Sequence, residues 1–182
     1  MDQQPSRERF SKTKIAGFIL IGLVAVTVSG FFIYKVNNSR HNPTFPTAIK
    51  HQAGFVLFYP TDKSILKVDK STIKFDASNK LVSYITYNSS NSKIIISEQA
   101  TPETFVDIPT AYDQLIERLQ GYSTFESANG KVSLTHPKEL KGPQSAVMNS
   151  KGTLMFVRPS VNMSDSDWRL LFNSLQPLSE SK

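Results

Sequence analysis

Cysteine is absent from this chain of 182 residues. The absence excludes disulfide bonds, thiolate zinc sites, a thiol nucleophile and a lipid-modified N-terminal cysteine. Histidine is scarce as well, and none of the three, His41, His51 and His136, stands at metal-ligand spacing from another. We therefore expect no metal site and no cofactor.

Positive charge is in excess but unevenly spread. The formal net charge is +6, and residues 1–36 account for +3 of it, with five basic residues against two acidic ones. So mild a charge on the rest of the chain is usual for a soluble surface, and we expect no nucleic-acid partner. Beyond the first forty or so residues, the length suits one domain with its own core.

A long uncharged run occupies residues 15–34, which read IAGFILIGLVAVTVSGFFIY. A helix rises about 1.5 Å per residue, so this run covers the roughly 30 Å hydrocarbon core of a bilayer. Four basic residues precede it, namely Arg7, Arg9, Lys12 and Lys14. Because positive flanks stay in the cytoplasm, we predict a cytoplasmic segment 1–14, a single-pass helix 15–34 in the cell membrane and an extracytoplasmic remainder.

Two other interpretations of this run stay open. Val28 and Gly30 offer the small-residue cleavage site of a signal peptide, although the run exceeds the usual apolar region of about 7–15 residues. The sequence around Gly17 and Phe18 resembles the processing site of pilins, with Gly22 where pilins usually carry a glutamate. Whether the N-terminal segment is cleaved is therefore left open.

Short apolar segments separated by turn residues follow the run. Residues 35–50 are polar with two prolines and are predicted as an extended linker. Residues 51–178 form the predicted extracytoplasmic domain, and 179–182 form a tail. Alternation and turn signals predict strands at 54–59, 71–77, 81–87, 93–99, 122–127, 131–135, 144–148 and 152–158.

Two helices are predicted in the domain. Thr110 and Asp113 have capping-box spacing before one apolar stripe, and Ser164 and Asp167 repeat it before a second stripe that contains Trp168. We expect Trp168 to lie in the core. Runs of strands with two helices between them predict an α+β fold, with an antiparallel sheet of about six to eight strands and both helices packed on one face.

Two stretches resemble a domain family of unknown function that lies behind single membrane anchors in bacteria. Residues 84–102, YITYNSSNSKIIISEQATP, are similar to the family's strand–turn–strand, with Glu98 and Gln99 at the strand end. Residues 152–175 resemble its last strand and helix, which close on Ser-Leu. The resemblance implies a fold similar to periplasmic lipoprotein carriers and an association with anti-sigma or envelope-sensing systems. It supplies no catalytic residue.

Signals for catalysis are weak. Ser64 and Lys67 match the S-x-x-K spacing of penicillin-recognising enzymes, but the same spacing recurs at four other places in the chain. Glu98, Glu103 and Asp107 could pair as glycosidase carboxylates. A solvated strand end and loop are expected there instead.

A basic stretch could meet anionic wall polymer or lipid headgroups. Its members are Lys63, Lys67, Lys70 and Lys74. Three acidic residues interleave with it and favour a plain solvated surface: Asp62, Asp69 and Asp76.

These patterns predict a membrane-tethered extracytoplasmic module that is not an enzyme and that serves envelope sensing or the binding of a ligand or protein. A pilin-like assembly subunit and an enzyme acting on the cell wall are the alternatives. The expected partners are the bilayer and an envelope protein or an apolar or anionic envelope ligand. No catalytic or binding residue is assigned, and the oligomeric state and the ligand stay open.

Overall fold

The computed structural model describes residues 42–62, 64–136 and 142–178. The predicted cytoplasmic segment, the membrane helix, the first part of the linker and the tail lie outside these residues. Within the described part, no helix combines the length and apolar character needed to cross a membrane. The membrane helix at 15–34 therefore stays a prediction.

The described residues form four helices and nine strands. The helices are α1 (Thr47–Ala53), α2 (Thr104–Asp107), α3 (Ala111–Arg118) and α4 (Asp165–Ser174). The strands are β1 (Phe58–Pro60), β2 (Lys67–Asp76), β3 (Leu81–Tyr87), β4 (Lys93–Ala100), β5 (Gly121–Ser127), β6 (Gly130–Thr135), β7 (Ser145–Ser150), β8 (Thr153–Pro159) and β9 (Leu175–Pro177).

Seven strands form one antiparallel sheet in the order β2-β3-β4-β8-β7-β6-β5, and β1 pairs with β9 in a separate two-stranded ribbon. Within each half of this sheet, strands that follow one another in the chain pair with each other. The long-range pairing of β4 with β8 joins the β2–β4 half to the β5–β8 half. The α+β class and the predicted number of strands in the sheet are confirmed.

The sheet has an inner face that carries the main core. Successive residues of a strand point to opposite faces, and the inner residues Val82, Ile96, Val132 and Met148 are all buried. They share one hydrophobic cluster with side chains of α1, β1, α4 and β9. The terminal segments of the described chain therefore cover the inner face.

The capping box predicted for α4 is confirmed. The Ser164 hydroxyl accepts a hydrogen bond from the Asp167 N–H at 3.2 Å, and the Asp167 carboxylate accepts from the Ser164 N–H at 3.4 Å. The helix start fixed in this way turns Trp168 into the core, where none of its surface is exposed. The cap predicted for α3 is wrong, because the Thr110 side chain makes no capping hydrogen bond to the backbone.

The α3 helix lies on the outer face of the sheet. Its Tyr112 hydroxyl lies beside Ser133 without a hydrogen bond of good geometry, and Ser133 alternates along β6 with the core residues Val132 and Leu134. The prediction that both helices pack on one face is therefore wrong. An amphipathic stripe indicates that a helix is half buried, but it does not indicate which face of a sheet the helix covers.

The end of the predicted linker belongs to the folded unit. Phe45 is only 7% exposed, and its ring packs edge-on against Tyr59 with centroids 5.2 Å apart. The Tyr59 hydroxyl donates to the Pro43 carbonyl at 2.8 Å, and α1 begins directly after Pro46. The fold thus includes residues 42–50, which the sequence analysis placed in the linker because they are polar and contain two prolines.

Candidate functional site

A buried carboxyl lies on the inner face, where β4 passes beneath β1. Glu98 has no exposed surface, and its Oε2 accepts a hydrogen bond from the Phe58 N–H at 2.8 Å. Its Oε1 lies 3.4 Å from the Tyr84 hydroxyl, which donates to the Phe58 carbonyl at 2.8 Å. The side chains of Glu98 and Tyr84 therefore provide hydrogen-bond partners for the N–H and the carbonyl of Phe58.

Burial controls the protonation of this site. The loss of solvation raises the pKa of Glu98 to about 8, although the hydrogen bonds from the Phe58 N–H and the Tyr84 hydroxyl favour the carboxylate. Burial, and then the charge of Glu98, raise the pKa of Tyr84 well above its ordinary value. At neutral pH the pair is therefore mostly an uncharged carboxylic acid beside an uncharged phenol.

The geometry assigns Glu98 a structural role. The Leu57 carbonyl accepts from the Leu178 N–H beside β9, whereas the polar groups of Phe58 point to the sheet, where water is excluded. A buried backbone group without a partner is costly, and Glu98 and Tyr84 supply the partners. The expectation that Glu98 is a solvated strand end is wrong, and the exposed Glu103 and Asp107 do not share its environment.

The outer face is covered over only half of the sheet. Val147 and Leu154, on the outer side of β7 and β8, are 1% and 2% exposed, and α3 lies over this half. No outer residue of β3 or β4 is buried. We call the uncovered outer surface of β2, β3, β4 and the adjoining end of β8 the open face.

The strand register arranges the open face in rows that run across the strands. The first row is Lys67, Tyr87 and Lys93; the second is Asp69, Ile85, Ile95 and Arg158; the third is Lys74, Ser83, Ser97 and Phe156. The four cations of these rows are exposed, while the aliphatic and aromatic members are partly buried. Cations therefore frame a strip of accessible apolar surface.

A groove of about 240 Å³ lies on the open face beside an irregularity in β2. The register of β2 against β3 shifts between Asp69 and Lys74. The Thr72 hydroxyl bridges the gap, because it accepts from the Ile85 N–H at 2.9 Å and donates to the Asp69 carbonyl at 2.6 Å. The groove is lined by Ser71, Thr72, Lys74, Ser83, Tyr84, Ile85 and Ile95.

The other candidate residues are scattered. Lys67 lies in an extended strand, so it does not share a helical turn with Ser64, whose hydroxyl accepts from the Leu66 N–H at 2.9 Å. His51 is on α1 and His136 follows β6. Among residues 42–62, 64–136 and 142–178, no cluster of three metal-ligating side chains occurs.

The basic stretch is divided by the structure. Lys67 and Lys74 lie on the open face through their register with β3, Lys70 is exposed between them at the irregularity of β2, and Lys63 lies outside the described residues. The second half of the positive surface comes from Lys93 and Arg158, which are remote in sequence and which sequence reasoning missed. Period-two alternation along 93–99 was the available signal for Lys93.

Comparison with protein-family models, with curated proteins and with solved structures finds no match to this chain. The resemblance to membrane-anchored bacterial domains of unknown function therefore stays a prediction.

Proposed function

We propose that the chain is a membrane-tethered extracytoplasmic module that binds an anionic ligand of the cell envelope on its open face and is not an enzyme. The observation that carries this proposal is the set of exposed cations around accessible apolar side chains on an uncovered half-sheet. An apolar concavity with a few convergent polar groups is the usual form of a ligand site. The groove beside Lys74 has this form.

The polar chemistry of the groove suits anions. Lys74 contributes an ammonium group that carries three N–H donors, and Ser83 lies directly across from it in the strand register. The Ser71 hydroxyl donates its only proton to Asp69 at 2.6 Å, so Lys74 is the charged donor that an anion meets in the groove. Ile85 and Ile95 provide the apolar lining, so a ligand with a charged end and a less polar body fits best.

The buried carboxyl supports a binding role over a catalytic one. A general acid or base must reach a substrate proton within hydrogen-bond distance or through one water. Glu98 is instead enclosed, and both of its oxygens face internal partners. The membrane tether is inferred from the uncharged run 15–34 and the basic residues that precede it.

Salt-dependent binding of a simple polyanion tests the proposal. Fluorescent poly-L-glutamate is titrated into the full-length chain in neutral detergent micelles, and anisotropy gives the affinity. We expect saturable binding that weakens as salt rises and that falls several-fold in the Lys74→Gln, Lys93→Gln double variant.

Lys131→Gln is the matched control, since Lys131 is also an exposed strand lysine but lies on β6, outside the open face. Loss of affinity in the control equal to that in the double variant would refute the assignment to the open face. Absence of saturable binding at low salt would refute the proposal itself.

A further inference from the structure

The described chain begins at the edge of the open face. The side chain of Asn42 donates from Nδ2 to the Thr61 carbonyl at 3.0 Å and accepts at Oδ1 from the Val68 N–H at 3.0 Å. Val68 belongs to β2, the edge strand of the sheet, and follows Lys67 in the first row. Asn42 thereby fixes the point where the N-terminal segment joins the domain.

Positive charge is concentrated at this same end. The first two rows hold Lys67, Lys93 and Arg158 against one acidic residue, Asp69. The carboxylate of Asp69 accepts from the N–H and hydroxyl of Ser71, at 3.0 and 2.6 Å. Toward the other end the rows hold Lys74 and then Asp76, and Lys80 is exposed in the turn that joins β2 to β3. The first two rows therefore carry a net charge of +2, against +1 for Lys74, Asp76 and Lys80 together.

The side chains of the first row suit a membrane interface. Tyr87 is partly buried and lies between Lys67 and Lys93 in register. Tyrosine combines an apolar ring with a polar hydroxyl and is enriched at the headgroup level, and lysine keeps its ammonium group in water above an apolar stem. The row has no fully exposed large apolar side chain, which suits contact with headgroups and not insertion into the hydrocarbon core.

The length of chain outside the structure brings a bilayer within reach. Seven residues separate the end of the predicted membrane helix at 34 from Asn42, and an extended chain spans at most about 3.5 Å per residue. The eight Cα-to-Cα steps from residue 34 to Asn42 therefore reach roughly 28 Å. That is less than the width of roughly 36 Å of a compact sphere whose radius of gyration is about 14 Å. Surfaces close to Asn42 are the ones that such a tether presents to the bilayer.

We infer that the end of the open face formed by Lys67, Tyr87, Lys93 and Arg158 rests against the acidic phospholipid headgroups of the bilayer that holds the chain. The inference rests on the proposed function, because it requires the tether and the positive open face. It names the partner of one end of that face. The groove beside Lys74, in the third row, remains available to a ligand while this end is in contact.

Single labels on the full-length chain test the contact. Because the chain contains no cysteine, Ser90→Cys and Ser78→Cys each give one labelling site. Both serines are exposed in turns, Ser90 beside the first row and Ser78 at the opposite end of β3, roughly 20 Å away for a strand of this length. The labelled proteins are placed in lipid nanodiscs in which some headgroups carry a nitroxide that quenches the fluorophore.

We expect strong quenching at position 90 in nanodiscs containing phosphatidylglycerol and weak quenching at position 78. Quenching at 90 should fall in pure phosphatidylcholine discs, at high salt and in the Lys67→Gln, Lys93→Gln variant. Each cation removed should lower the ratio of docked to undocked molecules about fivefold. The same double substitution with Lys131→Gln in place of Lys93→Gln should show only the smaller, single-cation loss.

Equal quenching at the two positions, or quenching at 90 that is independent of acidic lipid and salt, would overturn the inference. If quenching is absent while poly-L-glutamate still binds, the inference fails and the proposed function stands. If the chain does not stay with the nanodiscs, the tether fails and the inference fails with it.

Discussion

Glu98→Gln changes the protonation of the inner-face network while it retains the network's shape. The amide oxygen of glutamine can accept from the Phe58 N–H, and its NH₂ group can donate to the Tyr84 oxygen, because the Tyr84 proton is donated to the Phe58 carbonyl. Glutamine has no proton to gain on folding. The substitution therefore separates the hydrogen bonds of Glu98 from the cost of keeping it neutral.

The expected difference in the free energy of unfolding between wild type and Glu98→Gln follows from the shift in the pKa of Glu98 from 4.5 to about 8. The folded state holds a proton that the unfolded chain releases, so the stabilising contribution is fully present below pH 4.5 and is lost as the pH rises toward 8. One unit of pKa difference is worth about 1.4 kcal/mol. At pH 7, two and a half units above the ordinary pKa, wild type should be less stable than Glu98→Gln by about 3 kcal/mol.

Urea unfolding of residues 42–182 at pH 5, 6, 7 and 8 measures this effect. The free energy of unfolding of wild type should fall across the series relative to that of Glu98→Gln, with a gap under about 1 kcal/mol at pH 5 that grows to about 3 kcal/mol at pH 7. Glu103→Gln is the control, because Glu103 is exposed and its substitution should leave the pH dependence unchanged. Parallel pH profiles for wild type and Glu98→Gln, or a less stable variant at pH 7, would refute the reasoning.

Three further predictions concern the fold and its placement. Residues 42–182 should melt cooperatively with a mixed α and β circular dichroism signal, whereas a fragment that starts at residue 51 should lose stability because Phe45 and most of α1 are gone; equal midpoints would contradict this. Trp168→Ala should cost about 3–5 kcal/mol in a urea melt, and wild-type emission should be blue-shifted, because Trp168 is fully buried; a water-like emission maximum would show otherwise. Protease added to spheroplasts should digest the C-terminal domain and spare residues 1–14; a protected domain would contradict the predicted topology.

Local sequence signals predicted the strands and caps that depend on local chemistry. The turn residues 88–92 gave the two strands that flank them, 81–87 and 93–99, within one residue of their observed bounds. Ser164 and Asp167 gave the start of α4, and the stripe behind them placed Trp168 in the core. Each of these signals lies within a few residues of the element it predicts.

Features that depend on distant contacts were missed. The burial of Phe45 depends on Tyr59, and β1 pairs with residues more than a hundred positions away in β9. The burial of Glu98 could have been predicted from the sequence, because Glu98 continues the alternation of the buried Ile94 and Ile96. A solvated position was predicted instead because a glutamate side chain is polar. The sequence does not show that the Phe58 N–H lies close enough to stabilise a carboxyl at this buried position.

The pairing of β1 with β9 has a consequence for the order of assembly. A chain whose N-terminal anchor stays in the membrane while the remainder crosses in sequence order delivers Phe58 long before Leu175–Pro177. Contacts between distant residues form slowly because the intervening loop must close. Until the last residues arrive, β1 has no partner strand and α4 cannot cover the inner face. If the domain is exported as proposed, its core should be complete only after almost its whole length has been translocated. The chain should therefore stay unfolded enough to be transported until the last residues have crossed.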